Sequence, residues 1–416
     1  MVSTSNENEI LSETAIDQLN SYLSDTRLPQ PQSEIAVLGW PDIEIDSTLG
    51  CGSFCRVYQV EASSTDLLKG KYALKCLNKK ILFGEARKVR EAGCIDLAVE
   101  AHLLSRLNHE NIIKLQGRSP SSIANSNCQD WAEKEFFILL DILGDTLSFR
   151  LNKLRLKTAS RHGPLSKSAM MQRVTDIAVG VARGVQHLHE NNIVLRDLKP
   201  ANVGFDEDGV PKIFDLGLAR EIHTLKPKEV AGSLRYMSPE VALGLGATTN
   251  SDIYSFAILL WEILTLGKPF AEIGQTKEDF YAKVIKGSWR PSVTSTKIPI
   301  PPGLVQLITE CWDSDPDKRP DIKQVLASLK VEELTAYRSI ESRRPSSLRN
   351  LLGKSGGSNS SAVDCVSPLF SVKKLCKNIG DSLHHSRSTS ETSSDSSTDA
   401  SRHVSIQWSS RHFVKW

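Results

Sequence analysis

The amino-acid sequence predicts an α+β protein in which strands come first and helices dominate later. Short apolar, strand-like runs fill the first third: Ile43 to Leu49, Val57 to Val60, Tyr72 to Lys75 and Phe136 to Leu140. The first two flank a glycine turn, Gly50-Cys51-Gly52. Further on, apolar residues recur at helical spacing, most clearly over Val174 to His189. Both ends differ in composition. Residues 1–41 are polar, with Pro29-Gln30-Pro31 breaking any helix, and are expected to be a flexible N-terminal segment. Residues 42–335 carry the folded domain. Residues 336–416 form a serine-rich, mostly disordered tail, and Ser386 to Ser401 is almost wholly polar. Such composition cannot bury enough apolar surface to offset the entropy of ordering. Val404 to Trp416 regains Ile406, Trp408, Phe413, Val414 and Trp416, either as scattered apolar residues or as a docking segment for a partner.

Composition narrows the function classes. A hydrophobic content of 40% in 416 residues supports a substantial core. A formal charge of +2 favours neither nucleic acid nor an acidic membrane surface as partner. No apolar run is long enough to span a bilayer, and Met1 to Asn8 lacks the basic and apolar regions of a signal peptide. The eight cysteines show no paired framework. An intracellular, cytoplasmic protein is expected, with the nucleus not excluded.

The chemistry is concentrated in short words. Leu195-Arg196-Asp197-Leu198-Lys199-Pro200-Ala201-Asn202 resembles the H-R-D-L-K-P-x-N catalytic loop of protein kinases. Asp215-Leu216-Gly217 stands where D-F-G belongs, and Ser238-Pro239-Glu240 where A-P-E closes the activation segment. Upstream, Gly50-Cys51-Gly52-Ser53-Phe54-Cys55-Arg56-Val57 is similar to the glycine-rich phosphate loop, and Tyr72-Ala73-Leu74-Lys75 to the V-A-I-K strand. Any one word could arise by chance. All of them in this order identify the chain as a member of the eukaryotic protein kinase superfamily. The resemblance implies a two-lobed fold, with a small β-rich N-lobe carrying helix αC and a large, mainly helical C-lobe.

It also implies roles, residue by residue. Asp197 would orient the substrate hydroxyl and Lys199 would sit beside the transferring phosphate, while Asn202 and Asp215 would hold Mg²⁺. Leu49, Gly50, Gly52, Ser53, Phe54 and Val57 would cover ATP. Ala73 would leave room for adenine, and Lys75 would contact the α- and β-phosphates. Glu100 is the expected carboxylate partner of Lys75, because Glu100, Leu104 and Leu107 share a helical register ahead of Asn108-His109-Glu110-Asn111. Glu85 and Glu91 are its rivals by charge alone. Asp141 and Leu143 would bind adenine through their backbone, with Leu140 as gatekeeper. Asp252 would cap the catalytic-loop backbone and Arg319 would pair with Glu240. Lys199, and Ser233 after Gly232, favour a protein substrate with a Ser/Thr acceptor over tyrosine, with a dual-specificity kinase as the alternative. Cys311-Trp312 and Ser251-Asp252-Ile253-Tyr254-Ser255-Phe256 point to the tyrosine-kinase-like branch.

Three positions depart from the family pattern: Leu195 for histidine, Leu216 for phenylalanine, and Cys55 for the third glycine. The first two would belong to an apolar column of Leu104, Leu115, Leu195 and Leu216. Leucines can fill such a column, because volume and apolarity matter more than identity. A nucleotide-binding scaffold without strong activity is the rival reading. It would be expected to lack Lys75, Asp197, Asn202 or Asp215, and all four are retained. Cys51 and Cys55 flank the phosphate loop and are expected to be inert small residues; the alternative is a thiolate favoured by backbone N–H groups and Lys75 and open to oxidation. By the resemblance, Glu229 occupies the position that commonly carries an activating phosphate and could pair with Arg196; the alternatives are a solvated charged loop with Lys226 and Lys228, or Thr224 as the switch.

Overall fold

The computed structural model describes residues 11–31, 35–52, 54–65, 68–78, 87–120, 136–159, 166–273 and 276–342. Ser53, Glu85 and the tail from 343 to 416, with its candidate docking segment, lie outside the described residues. The described residues up to Arg338 fall in one compact unit.

The smaller lobe is a six-stranded sheet ordered β1-β5-β6-β4-β3-β2. Its strands are β1 (Ala36–Val37), β2 (Ile43–Cys51), β3 (Cys55–Thr65), β4 (Leu68–Leu77), β5 (Leu115–Arg118) and β6 (Phe137–Leu140). Strands β2, β3 and β4 form an antiparallel meander, and β4 then pairs with β6 so that Ala73 faces Leu140 and Lys75 faces Ile138. That register brings the Lys75 strand beside the segment expected to bind adenine. Strand β1 runs parallel to β5. Leu38 follows it, buried, with its N–H donating to the Arg118 carbonyl at 3.0 Å.

The expected flexible segment 1–41 is corrected over its described part. Helix α1 (Glu13–Ser24) starts at Ser12, whose Oγ accepts from the Ala15 N–H at 3.2 Å. Leu11, Ala15 and Leu19 repeat every fourth residue and bury one face, and Leu28 is buried beyond the helix. Each buried leucine contributes about 1.5–3 kcal/mol, which overall polarity conceals. Pro29 follows the helix rather than breaking it, and β1 places part of the sheet upstream of residue 42.

The larger lobe is mainly helical: α3 (Leu147–Ala159), α4 (Val179–Glu190), α5 (Thr249–Thr265), α6 (Pro302–Cys311) and α7 (Ile322–Ser342) follow α2 (Arg87–Leu104) of the small lobe. Helix α5 is buried without a break from Ser251 to Leu264, as its all-round apolarity requires. Two small strand sets hold the loops of the site. β7 (Asp145–Thr146), β9 (Val203–Phe205) and β10 (Pro211–Ile213) form one sheet, and β8 (Ile193–Val194) pairs with β11 (Arg220–Glu221). The Leu195–Asn202 loop therefore leaves β8 and enters β9, while Asp215 leaves β10 two residues after Ile213.

Candidate active site

Lys75 lies on β4, nearly fully buried, between two carboxylates. Its Nζ is 2.5 Å from Glu100 Oε2 on α2 and 2.8 Å from Asp215 Oδ1. Burial alone would lower its pKa, but Asp215 and Glu100 together outweigh it and hold the ammonium well above its ordinary value. The second Glu100 oxygen accepts from the Leu216 N–H at 3.3 Å. Glu91 points elsewhere, accepting from the Ser12 N–H at 2.8 Å. The helical register thus selects the carboxylate that reaches Lys75.

The second constellation surrounds Asp197. Lys199 Nζ donates to Asp197 Oδ2 and to Ser233 Oγ, both at 2.7 Å. The Ser233 N–H donates to Asp197 Oδ1 at 2.9 Å, and Asn202 Nδ2 donates to the Asp197 carbonyl at 3.0 Å. Gly232 makes this approach possible. Its φ is +121°, and a Cβ there would stand 2.5 Å from the Arg196 carbonyl oxygen. Beneath the loop, Asp252 Oδ2 accepts from the Leu195 N–H and Oδ1 from the Arg196 N–H, each at 2.8 Å. His189 Nε2 lies 2.9 Å from Oδ2. Arg196 adopts φ 70° and Asp215 φ 64°, left-handed conformations that these contacts sustain.

Leu104, Leu115, Leu195 and Leu216 are all buried in the same core cluster. Replacing an imidazole and a phenyl ring by leucine therefore leaves no polar group to satisfy at those two places. At the hinge, the Asp141 N–H donates to the Lys114 carbonyl at 3.2 Å, and its carboxylate accepts from Gln116 Nε2 at 2.7 Å. The Leu143 backbone N–H has no hydrogen-bond partner among the described residues. Val57 and Ala73 are buried on adjacent strands, and Leu49 packs against the same cluster. Gly50 pairs with Val57, and the Gly52 N–H donates to the Cys55 carbonyl at 2.7 Å.

One loop residue departs from expectation. Phe54, expected among the residues that cover ATP, is buried against α2 instead. A Cβ at Gly93 of α2 would meet its ring at 3.1 Å and Leu77 at 3.4 Å. Gly93 therefore costs helix propensity, roughly 1 kcal/mol relative to alanine, but opens the notch that Phe54 fills. Burial drives the Cys55 thiol pKa up, and the nearby Lys75 does not reverse this. At Cys55 this favours the inert residue over the thiolate, while Cys51 is exposed.

The scaffold contacts are equally specific. Arg319 grips Glu240 through two bonds, Nη1–Oε1 at 2.7 Å and Nη2–Oε2 at 2.8 Å. Burial would raise the Glu240 pKa, but Arg319 prevails and lowers it. Sequence reasoning missed Asp96 and Glu221. Arg220 Nη2 lies 3.4 Å from Asp96 Oδ1 on α2, while Nη1 donates to the Gly217 and Ala219 carbonyls at 2.7 and 2.9 Å. Asp96 lies one helical turn before Glu100, which is the only sequence signal it carries.

A protein kinase domain model matches residues 43–329, and the chain belongs to the protein kinase family. It is 29% identical over 293 residues to a probable serine/threonine-protein kinase of Dictyostelium discoideum, covering 70% of this chain and 20% of that protein. The probable serine/threonine-protein kinase SIS8 of Arabidopsis thaliana is 28% identical over 299 residues, covering 70% and 25%. A protein kinase and PP2C-like domain-containing protein of Oryza sativa subsp. japonica is 33% identical over 193 residues, covering 39% and 29%. The chain thus spans well under half the length of these relatives.

Proposed function

We propose that this chain is an ATP-dependent protein serine/threonine kinase that transfers the γ-phosphoryl group of ATP to a protein hydroxyl. The observation that carries the reading is Lys199 Nζ, which joins the Asp197 carboxylate to the Ser233 hydroxyl. This leaves Asp197 to orient an acceptor hydroxyl and Lys199 to stand beside the incoming phosphoryl group. Lys75, kept cationic by its two carboxylates, would hold the α- and β-phosphates. Asp141 and Leu143 would present backbone groups to adenine, with Val57, Ala73 and Leu49 around the ring, and Gly50 and Gly52 over the phosphates.

The Asp215 carboxylate and the Asn202 amide oxygen are hard ligands of the kind that Mg²⁺ prefers, alongside phosphate and water. Bound there, Mg²⁺ would neutralise charge on the β- and γ-phosphates. The Cys311-Trp312 word supports placing the chain near the tyrosine-kinase-like branch. Among the described residues no helix is long and apolar enough to cross a membrane. The test is phosphorylation of a peptide array by the purified chain with ATP and Mg²⁺. Transfer to serine or threonine is expected. Nucleotide binding without transfer would favour the scaffold reading instead.

A further inference from the structure

We infer that residues 11–28 are an intramolecular strap whose docking positions the Lys75–Glu100 pair, with Leu19 and Thr26 as its two anchoring residues. The strap touches α2, which supplies the Glu100 carboxylate to Lys75, and the chain six residues beyond Asp215, which supplies the other. Its first part lies on α2, the helix that carries Glu100. The Ser12 N–H donates to Glu91 Oε1 at 2.8 Å, and the Tyr22 ring meets His102 edge-on with centroids 6.0 Å apart. Leu11, Ala15 and Leu19 are buried in the main core cluster between these points. The strap therefore engages α2 ahead of Glu100 and again just beyond it.

Its second part grips the segment that follows Asp215. Thr26 Oγ1 donates to Glu221 Oε1 at 2.6 Å, and the Arg27 N–H donates to Glu221 Oε2 at 2.9 Å. His223 Nε2 lies 2.9 Å from the Asp25 carbonyl. Glu221 is 1% exposed, so both of its oxygens depend on this strap for hydrogen bonds. Leu28 is buried immediately afterwards. Between the two grips, Arg220 ties Asp96 of α2 to the carbonyls of Gly217 and Ala219. Helix α2 and the start of the activation segment are thus fastened to one another and to one strap. Losing the strap frees α2 to swing and strips Glu221 of both of these hydrogen bonds, leaving it only His223 Nδ1 at 3.9 Å from Oε2, a costly loss for a carboxylate.

The activity readout rests on the kinase reading, whereas the exchange readout does not. The experiment compares full-length wild type, Leu19→Glu, Thr26→Val and Thr26→Ser by steady-state kinetics and by amide hydrogen exchange. Leu19→Glu is expected to lower kcat about tenfold, with a smaller change in KM for ATP. Exchange should accelerate in α2 but not in α5. A synthetic peptide of residues 11–31 added in trans should restore slow α2 exchange and kcat to Leu19→Glu, and the same peptide carrying L19E should not. Thr26→Val should loosen α2, and Thr26→Ser should match wild type. Wild-type kcat and α2 exchange in folded Leu19→Glu would overturn the proposal, as would equal acceleration in α2 and α5. Should Leu19→Glu not fold, identical α2 exchange in Thr26→Val and Thr26→Ser overturns it. Selective α2 loosening in a chain that transfers no phosphate would leave the strap standing and refute the kinase reading.

Discussion

Arg196 Nη2 stands 3.1 Å from Glu229 Oε1, so a carboxylate already occupies the basic position beside the catalytic loop. The Arg196 side chain is 1% exposed and that of Glu229 36%. Burial lowers the Arg196 pKa, Glu229 opposes that, and Arg220 adds to it. Thr224 is committed elsewhere, donating from Oγ1 to the Glu221 carbonyl at 2.7 Å.

The pair predicts basal activity without activation-loop phosphorylation. Phosphatase-treated protein and Thr224→Ala should keep most of the wild-type rate. Glu229→Ala should lose about fivefold, the upper end for a partly exposed ion pair near 1 kcal/mol. A fully active Glu229→Ala beside a silent Thr224→Ala would assign the switch to Thr224 instead.

Removing either half of the reaction apparatus should stop phosphoryl transfer while the fold survives. Asp197→Asn is expected to lower kcat by about 10²–10⁴, and Lys75→Met by a comparable factor. Circular dichroism and melting curves should remain cooperative in both. Because Lys75 is raised above its ordinary 10.5, its ion pairs stabilise the fold fully below that pH. That contribution is lost only as pH rises through the folded-state value, so neutral pH titrations of activity should not report Lys75.

The Glu240–Arg319 pair should dominate the local stability of the large lobe. Glu240→Ala leaves Arg319 buried and unpaired, at a cost of roughly 3–5 kcal/mol. Urea unfolding should show this as a lowered midpoint with an unchanged slope. The Glu240 pKa is depressed below its ordinary 4.5, so its contribution is present above that pH. It disappears as pH falls through the lower folded-state value, and the Glu240→Ala penalty should shrink there.

Cys51 and Cys55 should behave differently towards thiol reagents. Exposed Cys51 should be alkylated by iodoacetamide in the native protein much faster than half-buried Cys55, whose desolvation disfavours the thiolate. Peptide mass mapping separates the two. Peroxide should inhibit wild type and Cys55→Ser equally, and protection by Cys55→Ser would contradict this assignment.

The words at 50–57, 72–75, 195–202, 215–217 and 238–240 were legible in the sequence because their chemistry needs fixed residue types at fixed local spacing. The helical register of Glu100 was legible for the same reason, since one turn decides whether a carboxylate faces the sheet. Tertiary structure alone decided the direction of Phe54, because the notch at Gly93 lies on another element. It also decided the pKa of Cys55, where burial overrides a cation whose proximity the sequence does suggest. The docking of Leu11, Ala15, Leu19 and Leu28 escaped composition, which averages one apolar face with three polar ones. Glu221 and Asp96 gave no sign of their partners Thr26, Arg27 and Arg220. Those bonds cross 124 residues or more of chain, and hydrogen bonds over such separations are set by packing, not by neighbouring residues.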